Sequence, residues 1–188
     1  ILRNLLFYLD KNLWKNKSKS ASLKFHKDCF DFYYSKTTSR INLFYKISGF
    51  KDKKYKINGI ERNNLSFYLK KINWKLISSG IATNFHGDLQ FDNIILDNNG
   101  KNFKLIDWRS DFNGKTDKGD VYYDLSKLYA GCMLPYSQIK KGNFSFAYEN
   151  SDIFYDFPIN NNLVDAKYEI EKFVNEKNLD LNKIKIIS

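Results

Sequence analysis

The sequence predicts an α+β fold, mostly helical with short β-hairpins, and three observations lead there. Apolar residues recur at spacings of three and four over several long stretches, the signature of amphipathic helices. Two pairs of short apolar segments flank residues that favour tight turns. With 188 residues, 43% of them hydrophobic and 17% aromatic, the chain has enough apolar surface for one sizeable core, and no internal repeat or linker divides it.

Ile1, Leu2, Leu5, Leu6, Leu9 and Leu13 share a helical face running toward Trp14, with an exit expected over Asn16 to Ser20. A second helix is expected from about Ser22 to Ile47, with Phe30, Tyr34, Ile41 and Phe44 among its apolar positions and Gly49 at its end. The lysine run Lys51, Lys53, Lys54 and Lys56 reads as a solvated loop. Leu65, Tyr68, Leu69, Ile72 and Leu76 then predict one helix from Glu61 to Ile77, ended by Ser78, Ser79 and Gly80.

The pattern changes at residues 93–97 and 102–107, two short apolar segments around Asn98-Asn99-Gly100, which predict a hairpin. Asp120 is placed to cap a helix in which Val121, Leu125 and Leu128 share a face. Residues 143–148 and 153–157 alternate like the strands of a second hairpin around Asn150 and Ser151. Leu163, Ile170 and Phe173 predict a helix over 162–178, and a further apolar run begins at Ile184.

The formal charge of +10 raises the question of a nucleic-acid partner, because clustered cations release counterions from phosphates. The lysines are scattered, so no nucleic-acid partner is expected. Cys29 and Cys132 lie far apart with neither metal-ligand nor disulfide spacing, which fits a reducing, cytoplasmic setting. No apolar run reaches the roughly 20 residues a membrane span needs, so no membrane partner is expected either.

The chemistry concentrates in His86-Gly87-Asp88-Leu89-Gln90-Phe91-Asp92-Asn93 and, after the hairpin, Leu105-Ile106-Asp107-Trp108. Phosphoryl transfer needs a carboxylate to orient and deprotonate the attacking hydroxyl, and hard oxygen ligands for magnesium at the phosphates. Asp88 and Asn93, five residues apart in one loop, could face one cleft. A hairpin brings its open ends together, so Asn93 and Asp107 should be neighbours despite their separation in sequence. His-Gly-Asp-x-x-x-x-Asn arises by chance about once in 10⁵ starting points at average residue usage, so coincidence in this chain is improbable.

From Phe85 to Leu128 these motifs resemble the catalytic loop and metal-binding aspartate of the protein-kinase-like fold, in the version found in the aminoglycoside phosphotransferase and choline kinase superfamily. The departures from protein kinases, Gly87 after His86, Gln90 for a lysine and Trp108 after Asp107, are those of small-molecule kinases. The resemblance implies that Asp88 is the catalytic base, that Asn93 and Asp107 bind Mg2+ beneath the phosphates of ATP, and that His86 supports the loop. In Gly119-Asp120-Val121-Tyr122-Tyr123-Asp124-Leu125 it implies that Asp124 braces that loop, whereas Asp120 reads as a helix cap.

The same resemblance implies that residues 1–188 are a single domain, the helical C-terminal lobe of such a fold and a fragment at both ends. The β-rich N-terminal lobe, with its glycine-rich loop and strand lysine, is absent from the sequence, so weak or no activity is expected of this portion alone. Acceptors in the superfamily include amino alcohols, sugars and aminoglycosides. Glu149, Asp152, Asp156, Asp165 and Glu169 are candidates for a cationic acceptor, and Lys36 and Arg40 for an anionic one. Two other readings stand beside the kinase: a kinase-like binding module without catalysis, and a basic nucleic-acid-binding protein.

Overall fold

A computed structural model of the chain describes residues 1–15, 17, 22–97, 99 and 102–188. Of the expected exit Asn16 to Ser20 only Lys17 lies within them, and of the turn Asn98-Asn99-Gly100 only Asn99. The fold is mixed α+β with small sheets. Its helices are α1 (Leu2–Asn12), α2 (Leu23–Ser48), α3 (Leu65–Lys71), α4 (Trp74–Ser78), α5 (Val121–Met133), α6 (Tyr136–Lys140), α7 (Asn161–Glu176) and α8 (Leu181–Ile187). Its strands are β1 (Tyr55–Ile57), β2 (Ile60–Arg62), β3 (Ala82–Thr83), β4 (Ile94–Leu96), β5 (Phe103–Leu105), β6 (Gly119–Asp120), β7 (Ser145–Glu149) and β8 (Asp152–Asp156).

Local chemistry explains where the long helices begin and end. The Ser22 hydroxyl accepts from the Phe25 amide to start α2, and Gly49, at φ 73°, closes it in the left-handed region where only glycine sits without cost. Asn160 and Asp180 cap α7 and α8 in the same way as Ser22.

The stretch expected as one helix from Glu61 to Ile77 is instead a strand and two short helices. Asn58 and Gly59, both at positive φ, turn β1 into β2, so Lys56 lies in a strand rather than a loop. Ile72 is extended, and the Asn73 side chain accepts from the Leu76 amide. A side-chain acceptor there offers the backbone a fresh helix start, which breaks the run that apolar spacing alone suggests.

Helix α5 runs between two cores. Its Val121, Leu125 and Leu128 pack with Leu6 and Leu9 of α1, Ile170 and Phe173 of α7, and Ile184 of α8. Tyr123, on another side of α5, joins Phe25 and Phe32 of α2, Ile77 of α4, Phe85 and Phe112. Leu89 reaches the first core from the loop between β3 and β4, which anchors that loop by burial as well as by hydrogen bonds.

The described residues form three sheets. β4 and β5 make an antiparallel ribbon with Ile94 opposite Leu105, and β3 pairs with β6 beside α5. The expected second hairpin, β7–β8, joins β1–β2 in a four-stranded sheet of order β2-β1-β8-β7, through a parallel contact of β1 with β8. Among the described residues, no helix is long and apolar enough to cross a membrane.

Candidate active site

Asp124 stands in the first turn of α5, fully buried. Its carboxylate accepts three N–H groups: the His86 amide at 2.9 Å, the Gly87 amide at 2.7 Å and the Trp14 indole at 3.0 Å. Burial raises its pKa above the ordinary carboxylate value, against the pull of those donors. One side chain thus ties the end of α1 and the 86–87 backbone to the central helix.

Asp120 does more than cap α5. Besides the Tyr122 amide at 3.2 Å it accepts the Ile81 amide at 2.9 Å and the Tyr33 hydroxyl at 2.9 Å, so it also joins α2 and the β3 segment. Burial pushes its pKa up, and the nearby Lys183 ammonium opposes that.

Gly87 is required twice over. Its φ is +82°, and a Cβ there would come within 2.5 Å of the Arg109 Cβ. The loop can therefore lie against the segment that follows β5, where the Arg109 amide donates to the His86 carbonyl at 2.9 Å.

The buried His86 ring fixes the rest of the turn. The Asp88 amide donates to Nδ1 at 3.2 Å, which leaves Nε2 as the protonated nitrogen donating to the Ile106 carbonyl at 2.9 Å. The Trp108 ring covers the imidazole with centroids 4.7 Å apart. His86 thus spans the two motif segments.

Asp88 is half-buried. Its Oδ1 accepts from the Lys127 ammonium at 2.8 Å and the Gln90 amide at 2.9 Å, and its Oδ2 lies 3.4 Å from Asn93 Nδ2. Burial opposes ionisation, but Lys127 and Gln90 outweigh it and hold the carboxyl below its usual pKa. Asn93 Nδ2 also donates to the Asp88 carbonyl at 2.8 Å, and Asn93 Oδ1 has no hydrogen-bond partner among the described residues.

At the ribbon mouth the Ile106 amide donates to the Asn93 carbonyl at 3.1 Å, so Asp107 follows immediately beyond the last cross-strand bond. Asp107 is exposed and has φ 62°, a left-handed backbone that is unusual for a non-glycine residue. The motif spacing brings Asp88, Asn93 and the Asp107 backbone to one end of the β4–β5 ribbon.

Among the described residues, no group of three or more His, Cys, Asp or Glu side chains is arranged to hold a metal ion. The set here is an amide oxygen and one carboxylate. Magnesium is commonly held by one or two such hard oxygens together with substrate phosphates and water, so the donor chemistry fits that ion. Comparison with known proteins identifies no relative: no family model, no curated protein and no solved structure matches this chain.

Two neighbours of the site escape motif reading. Lys127 lies one turn beyond Asp124 on α5 and could have been found by asking what that face presents next to the loop. Trp14 lies 110 residues from Asp124, with no spacing signal at all. Beyond Lys127, a cavity of about 300 Å³ opens between the loop and the α5–α6 turn, lined by Gln90, Phe91, Gly131, Tyr136 and Gln138.

On the other side, Lys36 of α2 donates to the Tyr123 hydroxyl, with its ammonium 4.6 Å from the Phe32 ring centroid and 4.7 Å from that of Tyr123. Burial, then the charges of Arg109, Arg40 and Lys127, lower its pKa to about 7. The acidic residues Glu149, Asp152, Asp156, Asp165 and Glu169 lie on β7, β8 and α7. Asp165 and Glu169 line a separate cavity with Leu2 and Phe103.

Proposed function

We propose that this chain carries the catalytic and metal-binding segment of an ATP- and magnesium-dependent phosphotransferase that moves the γ-phosphate to a hydroxyl of a small molecule, such as an amino alcohol, sugar or aminoglycoside. The observation that carries the reading is the meeting of Asp88 and Asn93, 3.4 Å apart, at the ribbon end from which Asp107 emerges. The resemblance to aminoglycoside phosphotransferases and choline kinases supplies the same assignment of roles.

Asp88 accepts the proton of the attacking hydroxyl as its oxygen bonds to the γ-phosphorus, while the bond from that phosphorus to the β-phosphate oxygen breaks and ADP leaves. Kept ionised by Lys127, Asp88 is a weak base but a well-placed acceptor, which suits a loose transition state in which the hydroxyl gives up its proton late. Gln90 and Asn93 fix the carboxylate on two sides. Magnesium, held by Asn93 and Asp107, would neutralise charge on the phosphate oxygens.

Phosphate transfer from ATP to pooled alcohols and amino sugars, assayed on the full-length protein together with nucleotide binding, tests this reading. Asp88→Ala should lower transfer by roughly 10² to 10⁴ and leave magnesium-dependent nucleotide binding in place, while Asp107→Ala should remove the magnesium dependence. Transfer at close to the wild-type rate in Asp88→Ala would sink the mechanism. Nucleotide binding indifferent to both magnesium and Asp107 would remove the metal site.

A further inference from the structure

We infer that Lys36, Arg40 and Arg109, gathered with Lys127 around Tyr123, form a phosphate-binding site beside Asp88, and that the acceptor is a phosphorylated alcohol. The inference rests on the phosphotransferase reading and narrows its substrate class.

The cluster draws on three parts of the chain. Lys36 and Arg40 are four residues apart on α2, hence on one helix face. Arg109 follows the metal-site segment, with its guanidinium 5.3 Å from the Phe32 centroid. The Lys127 ammonium is 5.7 Å from the Tyr123 centroid, on the same ring that Lys36 contacts, and 2.8 Å from Asp88. Arg40 and Arg109 both act electrostatically on Lys36 and on Tyr123.

Holding these cations together is unfavourable, and Lys36 is partly withdrawn from water as well. Elsewhere the protein meets such charges with carboxylates, as in Lys115 with Asp28 and Lys177 with Asp10. Among the described residues no ion pair involves Lys36, Arg40 or Arg109. An anion from outside would complete the arrangement. Arg109 Nε donates to the Asp111 carbonyl at 2.7 Å, and its remaining N–H groups, the Arg40 guanidinium and the Lys36 ammonium are donors suited to the several oxygens of a phosphate. A ligand whose phosphate sits on this cluster lies next to the carboxylate that would take a hydroxyl proton.

The cations could instead serve the phosphates of the nucleotide, so the test separates the two sources. Calorimetry on the 188-residue chain would compare glucose 6-phosphate, inorganic phosphate and glucose, with and without a saturating fluorescent magnesium nucleotide whose occupancy is read in the same sample. The sugar phosphate should bind at least about tenfold tighter than the sugar, the scale of one or two charge-assisted hydrogen bonds. Arg40→Gln, an exposed position that leaves the core intact, and Lys36→Met should each remove most of that gain without changing sugar binding. Nucleotide should leave phosphate binding in place.

Equal affinities for the sugar and its phosphate, or a gain that persists in both variants, would overturn the proposal. So would displacement of phosphate by nucleotide, which assigns the cluster to the donor. Phosphate binding without any nucleotide occupancy would count against the kinase reading while leaving the anion site standing.

Discussion

Two β regions of this chain are built in opposite ways. The loop leading into the β4–β5 ribbon is tied to the core through Asp124, His86 and Leu89, all fully buried. The β2-β1-β8-β7 sheet has no buried residue in any of its strands and shows Phe146, Tyr148, Phe154 and Tyr155 to solvent. Reacting groups must be held to a fraction of an ångström by supports that are themselves locked, and only the first region has such supports. The contrast supports the loop as the place for the proposed chemistry and leads to the expectation that the sheet tolerates substitution.

Asp88→Ala is the sharpest way to break that assignment. It should lower phosphate transfer by roughly 10² to 10⁴, the usual worth of a positioned base, with little change in melting temperature. Loss of fold with loss of activity would instead make Asp88 a structural residue.

Asp124→Ala comes next. Three buried N–H groups would lose their acceptor, and the cost should be about 3 kcal/mol, read as a shift in denaturant midpoint. Asp124→Asn keeps an acceptor but turns an NH2 group toward donors, so it should recover only part of the loss. If either variant unfolds at the wild-type midpoint, the loop is not held as its contacts suggest.

Lys127→Met has a smaller effect on stability, about 0.5 kcal/mol or less for a partly exposed pair. Its sign is fixed. Asp88 has a depressed folded pKa, so the pair stabilises the fold above the unfolded carboxylate pKa and loses that contribution as pH falls through the folded value. Without Lys127 the Asp88 pKa rises, and the acid limb of the pH–rate profile should move to higher pH. An unmoved limb would mean that Lys127 does not set the ionisation of Asp88.

The same contrast explains what could be read from sequence. α1, α2, α5 and α7 follow from apolar spacing, and the β4–β5 and β7–β8 hairpins from their turn residues, because those signals are local; the β1–β2 hairpin was missed, although Asn58-Gly59 is a turn signal of the same kind. The four-stranded sheet does not follow, since its β1–β8 contact joins Lys56 to Asp152 across about half the chain. The break between α3 and α4 depends on one side-chain bond from Asn73, invisible to periodicity. At the candidate site, the positions of Asp88, Asn93 and Asp107 relative to the ribbon were legible because a hairpin converts spacing into proximity. Trp14 and the Arg109–Lys36 cluster were not, because each reaches the loop from another element and only packing brings them there, while Lys127 was open only to a reading of the α5 face that it shares with Asp124.

The sheet supplies the smallest expected effect and the strictest check. Phe154 is in β8, an inner strand, opposite Ala147, yet about half its surface is exposed. Phe154→Thr introduces a β-branched side chain suited to the strand and removes a ring that covers little, so stability should change by about 0.5 kcal/mol or less. Tyr148 on β7 is different, because its ring lies 4.8 Å from that of Phe50 and closes an apolar contact with the end of α2. Tyr148→Thr should cost about 1 kcal/mol more than Phe154→Thr, the scale of a lost aromatic pair. Neither should alter phosphate transfer or phosphate binding. A Phe154→Thr variant that folds normally but loses activity would place the sheet within the working site, and the division between a braced loop and a tolerant sheet would have to be redrawn.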